Sequence, residues 1–303
     1  MKISAPLLVE APVLEKNVAA VWCDLIKARL TFLVLLTTLV GFYVGSAGLV
    51  DYTLMLHSVL GTALLASGAA ALNQLLEREH DARMRRTENR PLPSGRLKPA
   101  TVLLFGGICS IGGLVYLAVS TNLLTALLGA VTLLTYILVY TPLKRVTWLN
   151  TAVGAVPGAL PPLMGWTAAG QDINAAGLAL FAILFFWQIP HFLAIAWIYK
   201  EEYAKAGFVM LPNVDPQGAR TARQAVSHTV GLMFVSLFPS LFQLTGVIYF
   251  AGALIFGSVF LAMAIQFSRE MSISRARVLF FASILYLPLL LGLMVLDKVR
   301  LPI

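Results

Sequence analysis

Three oxygen-bearing side chains, Asn73, Glu77 and Asp81, recur at i, i+4 and i+8 in the run Asn73-Gln-Leu-Leu-Glu77-Arg-Glu-His-Asp81. On a helix this spacing stacks them on one face, drifting about 40° per step. Arg83, Arg85, Arg86 and Arg90 follow at once, and Pro91 and Pro93 then stiffen the exit. Carboxylates are the hard oxygen ligands that Mg²⁺ takes together with water and substrate phosphate. Guanidinium forks bind phosphate bidentately, and Arg86-Thr-Glu-Asn-Arg90 places two of them on one side of a turn. Acids followed by arginines therefore point to a site for a Mg-diphosphate. Taken singly, each acid also reads as a solvated helix end paired i to i+4 with a nearby base. Asn73 argues against that reading, because it sits inside the apolar boundary, where an unpaired amide is costly.

Further polar groups follow in order. Tyr140-Thr-Pro-Leu-Lys144-Arg145 closes an apolar stretch, and Lys144 is a candidate catalytic cation with Arg145 beside it. The next stretch carries Asn150, Gly154, Pro157, Gly158, Pro161 and Pro162, a density that kinks a helix and lets a neighbour or a flat ligand approach. Trp187-Gln188-Ile-Pro190-His191-Phe192 places Gln188 and His191 one turn apart deep in the sixth expected span. Polar groups at that depth usually face a bundle interior. His191 thus reads as a helix–helix hydrogen bonder, a haem-iron ligand, a proton relay, or a contact to a substrate carboxylate or phosphate. Tyr199-Lys200-Glu201-Glu202-Tyr203 ends the same stretch, offering Lys200 and Glu202 to a ligand or to the lipid interface. His57 and His228 lack such company and read as structural, and Cys23 and Cys109 have no metal or redox spacing.

The elements that position these residues follow from composition. Of 303 residues, 59% are hydrophobic and 12% charged, against about 25% charged in a soluble protein. The charges leave seven charge-free stretches: Leu30–Val50, Tyr52–Leu76, Pro99–Leu143, Val146–Gln171, Ile173–Tyr199, Gln224–Ser268 and Val278–Leu296. A membrane helix needs about 20 residues. Two stretches are 45 residues long, with polar breaks at Ser120-Thr121-Asn122 and around Gln243–Gly246. The expectation is an all-α, polytopic membrane protein of about nine transmembrane helices around a central cavity. It forms a single domain over residues 1–303, with 1–28 a cytoplasmic N-terminal segment free of a cleavable signal. The pattern disfavours a β-barrel, since the stretches are continuous and far longer than about 10 residues. If the N-terminus is cytoplasmic, only Lys298 and Arg300 of the 22 basic residues fall on the far side. That asymmetry supports the polarity and places the C-terminus outside. The net charge of +8 is then a topology signal and not a nucleic-acid footprint.

The Asn73-x₃-Glu77-x₃-Asp81 motif resembles the first motif of the UbiA superfamily of intramembrane prenyltransferases. Ala82-Arg-Met-x-Arg86-Thr-x-x-Arg90-Pro91-Leu92, Tyr140-Thr-Pro-Leu-Lys144-Arg145, Gly158-Ala-x-Pro-Pro-x-x-Gly165-Trp166 and Trp187-Gln-x-Pro-His191-Phe192 are more particular. Together they are similar to the haem-acting branch of that superfamily, over about Lys27 to Leu296. The chain departs from the superfamily in having Glu77 where Asp is commoner. It has Lys200-Glu201-Glu202-Tyr203 where quinone-type members carry a second Asp-rich motif. The resemblance implies transfer of a farnesyl group from farnesyl diphosphate to a vinyl group of haem B, with addition of water. Asn73, Glu77 and Asp81 would hold Mg²⁺, and Arg86, Arg90 and Lys144 would neutralise diphosphate. Arg145, Gln188, His191, Lys200 and Glu202 would contact substrate, with haem as substrate and not resident cofactor. Implied partners are farnesyl diphosphate, haem B, membrane lipid, and haem A synthase or terminal oxidase assembly; the implied location is the bacterial inner membrane. The residues leave open prenylation of a quinone precursor or chlorophyllide, and a proton-coupled transporter built on Glu77, His191 and Glu202.

Overall fold

The computed structural model describes residues 17–299. Most of the expected N-terminal segment, with Lys2, Lys16 and also Arg300, lies outside the described residues. A short helix, α1 (Val18–Leu25), precedes α2 (Ala28–Gly45), α3 (Tyr52–Asp81), α4 (Pro99–Ser120) and α5 (Leu123–Leu134). The chain runs on from α5 through a π-helical turn, Thr135–Tyr140, into α6 (Thr141–Leu143). Then come α7 (Asn150–Ala168), α8 (Ala175–Ile198), α9 (Lys200–Lys205) and α10 (Leu211–Val214). The last described helices are α11 (Ala219–Val235), α12 (Phe238–Leu241), α13 (Val247–Arg269) and α14 (Ile273–Leu296). Among the described residues there is no strand, only one antiparallel bridge between Thr245 and Lys298.

Among the described residues, seven segments are long and apolar enough to cross a membrane, the run from α5 to α6 counting as one. The two other expected spans are helices that fall short. Proline and glycine dilute α7, and α11 has 17 residues. The 45-residue stretches divide where polar residues interrupt them. Asn122 accepts from the Thr125 amide at 2.8 Å and starts α5. In the second stretch α12 and a turn with Gln243 at φ 58° separate α11 from α13.

In packing order, α3 lies on α4, α2 on α7, α7 on α8, α8 on α11 and α14, α11 on α13, and α13 on α14. The main buried cluster runs through six of these helices, with Val40, Ala159, Ile183, Leu232, Phe260 and Leu287 among its members. Outward faces stay apolar, as at Leu104, Ile108, Ile255 and Phe281, which suits a lipid surround. Close helix crossings rely on small residues. A Cβ at Gly41 would run into the Pro162 carbonyl, and one at Gly165 into that of Thr38, so α2 and α7 touch backbone to backbone.

The length of α3 decides where the acids sit. Thirty residues make a helix of about 45 Å, longer than the roughly 30 Å hydrocarbon layer. Its last turns therefore reach the interface, carrying Asn73, Glu77 and Asp81 on the face turned inward, all three buried.

Candidate active site

Each of the three oxygen-bearing side chains on α3 is held by a cation. Asn73 Oδ1 accepts from Lys27 Nζ at 2.7 Å, and its Nδ2 donates to Thr141 Oγ1 at 3.0 Å. Glu77 Oε1 accepts from Lys144 Nζ at 2.7 Å. Asp81 Oδ2 accepts from Arg90 at 2.7 Å. The i, i+4, i+8 expectation holds in geometry, since one helix face carries all three. Lys144 and Arg90 balance the two carboxylates, and Lys27 adds a third basic group, so the cluster carries no surplus of negative charge.

Backbone devices bring the cations in. Lys27 sits in the left-handed region (φ 50°, ψ 53°) between α1 and α2, which turns its side chain back onto α3. Burial pushes its ammonium down to about 7, and Arg90 adds to the shift. Lys144 follows the π-helical turn, in which the Thr141 amide reaches the Tyr136 carbonyl. π-turns are rare and often mark functional sites. The turn aligns Tyr136 and Tyr140, whose rings stack at 5.5 Å. Lys144 Nζ lies 4.5 Å from the Tyr140 ring centroid. Burial disfavours the Lys144 ammonium, but Glu77, then Tyr140, outweigh it and raise its pKa. Gly154 on α7 leaves the space that the Tyr140 ring fills.

The loops over this mouth are tied together. Thr87 Oγ1 donates to the Asp81 carbonyl at 2.8 Å. Met84 is buried against Ala196, Ala206, Phe208 and Met210. His80 Nδ1 bonds the Ala206 carbonyl at 2.7 Å. The Val209 amide donates to the Lys144 carbonyl at 2.7 Å. Arg86 lies over the Tyr199 and Tyr203 rings, donates to Tyr203 Oη at 3.0 Å, and gives its backbone amide to Glu202 Oε2 at 3.3 Å. Arg86 and Glu202 are thus joined at the rim, next to Asp81 and Arg90.

Other expected site residues are placed apart. Arg145 donates to the Leu76 carbonyl at 2.8 Å and lines a separate surface cavity with Arg78 and Glu79. Lys200 lies over the Trp197 ring at 4.8 Å. Gln188 is buried and donates to the Ala155 and Leu184 carbonyls at 3.2 and 2.9 Å, joining α8 to α7 above Gly158. His191 faces α14, where its Nδ1 is 2.7 Å from Ser283 Oγ. Sequence reasoning counted Lys27 only as an orientation charge and did not single out Thr141 or Tyr136. No local spacing links them to α3; only the Tyr-Thr-Pro run before Lys144 carried a signal.

The donor set suits Mg²⁺, because two carboxylates and an amide oxygen on one face are hard ligands. Among the described residues no three His, Cys, Asp or Glu converge on one point, so substrate oxygens and water would complete any shell.

A bundle of membrane helices with an acid–base cluster buried at the end of its longest helix is the architecture of an intramembrane prenyltransferase, and the chain belongs to the UbiA prenyltransferase family, whose model matches residues 34–285. Among curated relatives, it is 47% identical to the protoheme IX farnesyltransferase of Solibacter usitatus, over 91% of this chain and 98% of that one. It is 36% identical to the mitochondrial protoheme IX farnesyltransferase of Arabidopsis thaliana, over 94% of this chain and 67% of that protein. Among solved structures, a digeranylgeranylglyceryl phosphate synthase superposes with TM-score 0.79 at 17% identity, covering 93% of this chain and 99% of that chain. A UbiA homolog from Archaeoglobus fulgidus bound to DMAPP and Mg²⁺ gives 0.62 at 16% identity, covering 90% and 98%. These two likenesses concern the fold alone.

Proposed function

We propose that this integral membrane enzyme transfers the farnesyl group of farnesyl diphosphate to a vinyl group of haem B, with addition of water, to give haem O and diphosphate. The observation that carries the donor half is the cluster of three basic groups, Lys27, Lys144 and Arg90, on the buried Asn73, Glu77 and Asp81. The relatives named protoheme IX farnesyltransferase support the acceptor half. They do not favour a quinone precursor, chlorophyllide or transport.

Glu77 and Asp81, with Asn73, would hold Mg²⁺, which supplies positive charge to the departing diphosphate. An incoming diphosphate exchanges partners with the resting pairs. Lys144 and Arg90 turn from their carboxylates, and Lys27 from the Asn73 amide oxygen, to phosphate oxygens, and Arg86 adds a fork from the rim. Charge developing on the leaving oxygen is met by cations already in place. The allylic C–O bond breaks with its electron pair passing to diphosphate. The vinyl π pair of haem forms the new C–C bond to the allylic carbon. The remaining positive charge, next to the porphyrin, is quenched by water, which releases a proton. The apolar surround limits early hydrolysis of the allylic cation. His191 orients haem. The protein lies in a bacterial inner membrane with the site at the cytoplasmic face, where haem A synthase or the terminal oxidase assembly would be a partner.

The test is mass spectrometry of haem extracted from membranes with and without this chain. Gain of a hydroxyethylfarnesyl group on haem supports the reading. Unmodified haem alongside a prenylated aromatic acid or chlorophyllide overturns it.

A further inference from the structure

A cavity of about 390 Å³ lies where the last turns of α3 meet the first turn of α4. Leu75, Leu76 and Leu103 give it an apolar lining, and Arg78, Glu79 and Arg145 a charged one. Helical steps of about 100° put Leu75 and Glu79 on the face of α3 opposite Glu77 and Asp81. The cavity is therefore on the outside of the helix whose inner face carries the acid–base cluster.

Its guanidinium groups have donors to spare. Arg78 reaches Glu79 only at 3.6 Å, with both side chains largely in solvent, and so loose an exposed pair holds little. Arg145 is exposed and gives one N–H to the Leu76 carbonyl at 2.8 Å; among the described residues it makes no ion pair. His80, also in the lining, is committed through Nδ1 to the Ala206 carbonyl. The apolar part leads outward, because Leu76 and Leu103 are exposed on α3 and α4, both long and apolar enough to cross a membrane. A ligand that matches both parts has an anionic head and an apolar tail. Guanidinium forks fit phosphate oxygens, and basic pockets between membrane helices hold the headgroups of anionic lipids.

The groove is coupled to the active site through chain neighbours. Leu76 precedes Glu77, and Arg145 follows Lys144. Lys144 bonds the Glu77 carboxylate at 2.7 Å on the inner side, while Arg145 bonds the Leu76 carbonyl on the outer side. A phosphate held by Arg145 braces the turn that presents Lys144.

We propose that the α3–α4 groove is a site for an anionic phospholipid. Its phosphodiester sits between Arg78 and Arg145, drawing Arg78 away from Glu79, and an acyl chain lies over Leu76 and Leu103. The experiment adds phosphatidylglycerol, phosphatidylcholine or inorganic phosphate to the purified full chain in detergent, counts retained lipid by native mass spectrometry and follows the unfolding temperature. Phosphatidylglycerol should be retained and should raise the unfolding temperature, whereas phosphatidylcholine and inorganic phosphate should not. Arg78→Gln, which removes no hydrogen bond of the fold, should weaken phosphatidylglycerol binding roughly fivefold, the scale of one basic side chain at an anionic lipid surface. Arg145→Gln should weaken it at least as much. Arg220→Gln, an equal change of charge at an exposed position outside the groove, should bind as the wild type does. Size exclusion checks that each variant is folded. Equal losses in Arg78→Gln and Arg220→Gln would reduce the effect to surface charge and overturn the site. So would retention of phosphatidylglycerol by Arg78→Gln at the wild-type level, or no retention by the wild type. Equal protection by inorganic phosphate would make the groove a site for a free anion and overturn the lipid assignment.

Discussion

Asp81 is the residue on which the donor site turns, because its carboxylate is buried and already engaged by Arg90 at 2.7 Å. Asp81→Asn keeps volume and removes the charge. Turnover should fall by about 100-fold or more, the scale of losing a preorganised electrostatic group, while the protein still elutes as a folded species on size exclusion. Near-normal turnover at low Mg²⁺ would remove Asp81 from the metal assignment. The Lys144–Glu77 pair allows a sharper separation of stability from chemistry. Lys144→Met strands a buried carboxylate and should cost about 3–5 kcal/mol of stability, read as a lower unfolding temperature in detergent. Adding Glu77→Gln should recover most of that stability without recovering turnover. Recovery of turnover in the double variant would show the pair to be structural. Lys27→Met should weaken binding of inorganic diphosphate measured by calorimetry; unchanged affinity would make Lys27 a support for Asn73 alone.

At the scale of the element, helix contacts set how the cluster is held. The α2–α7 crossing has no room for a side chain at Gly41 or Gly165. Overpacking a tight contact costs roughly 1–3 kcal/mol, so Gly41→Ala and Gly165→Ala should each lower the unfolding temperature. Gly112→Ala on α4, where nothing lies within 4 Å of the added carbon, should not lower it, since alanine favours the helix over glycine. Equal effects at all three positions would mean that the crossing does not set stability. The π-turn is a second such element, since it brings Thr141 within reach of Asn73 and Lys144 within reach of Glu77.

The whole molecule carries a charge asymmetry that predicts its orientation. A reporter fused after Ile303 should read as outside, and one in the 200–223 loop as inside. A cytoplasmic C-terminus would mean that α7 or α11, the two helices that miss the length or apolarity of a span, does not cross the membrane.

The membrane class was legible in the sequence because it depends on counting. Long charge-free stretches need only composition to be read as helices, and helical period alone puts Asn73, Glu77 and Asp81 on one face. The polar breaks at Asn122 and near Gln243 were legible for the same reason. Local pattern does not carry partnership between distant segments. Lys27 reaches Asn73 across 46 positions only because the turn before α2 is left-handed and α2 packs beside α3. Lys144 reaches Glu77 across 67 because the π-turn rephases the end of its span. Gln188 and His191, one turn apart on the same helix, look alike in sequence, yet one bonds to α7 and the other to α14. Which neighbour each side chain meets is decided by the packing order of the helices. That order is a property of the tertiary structure, fixed where small residues let backbones touch.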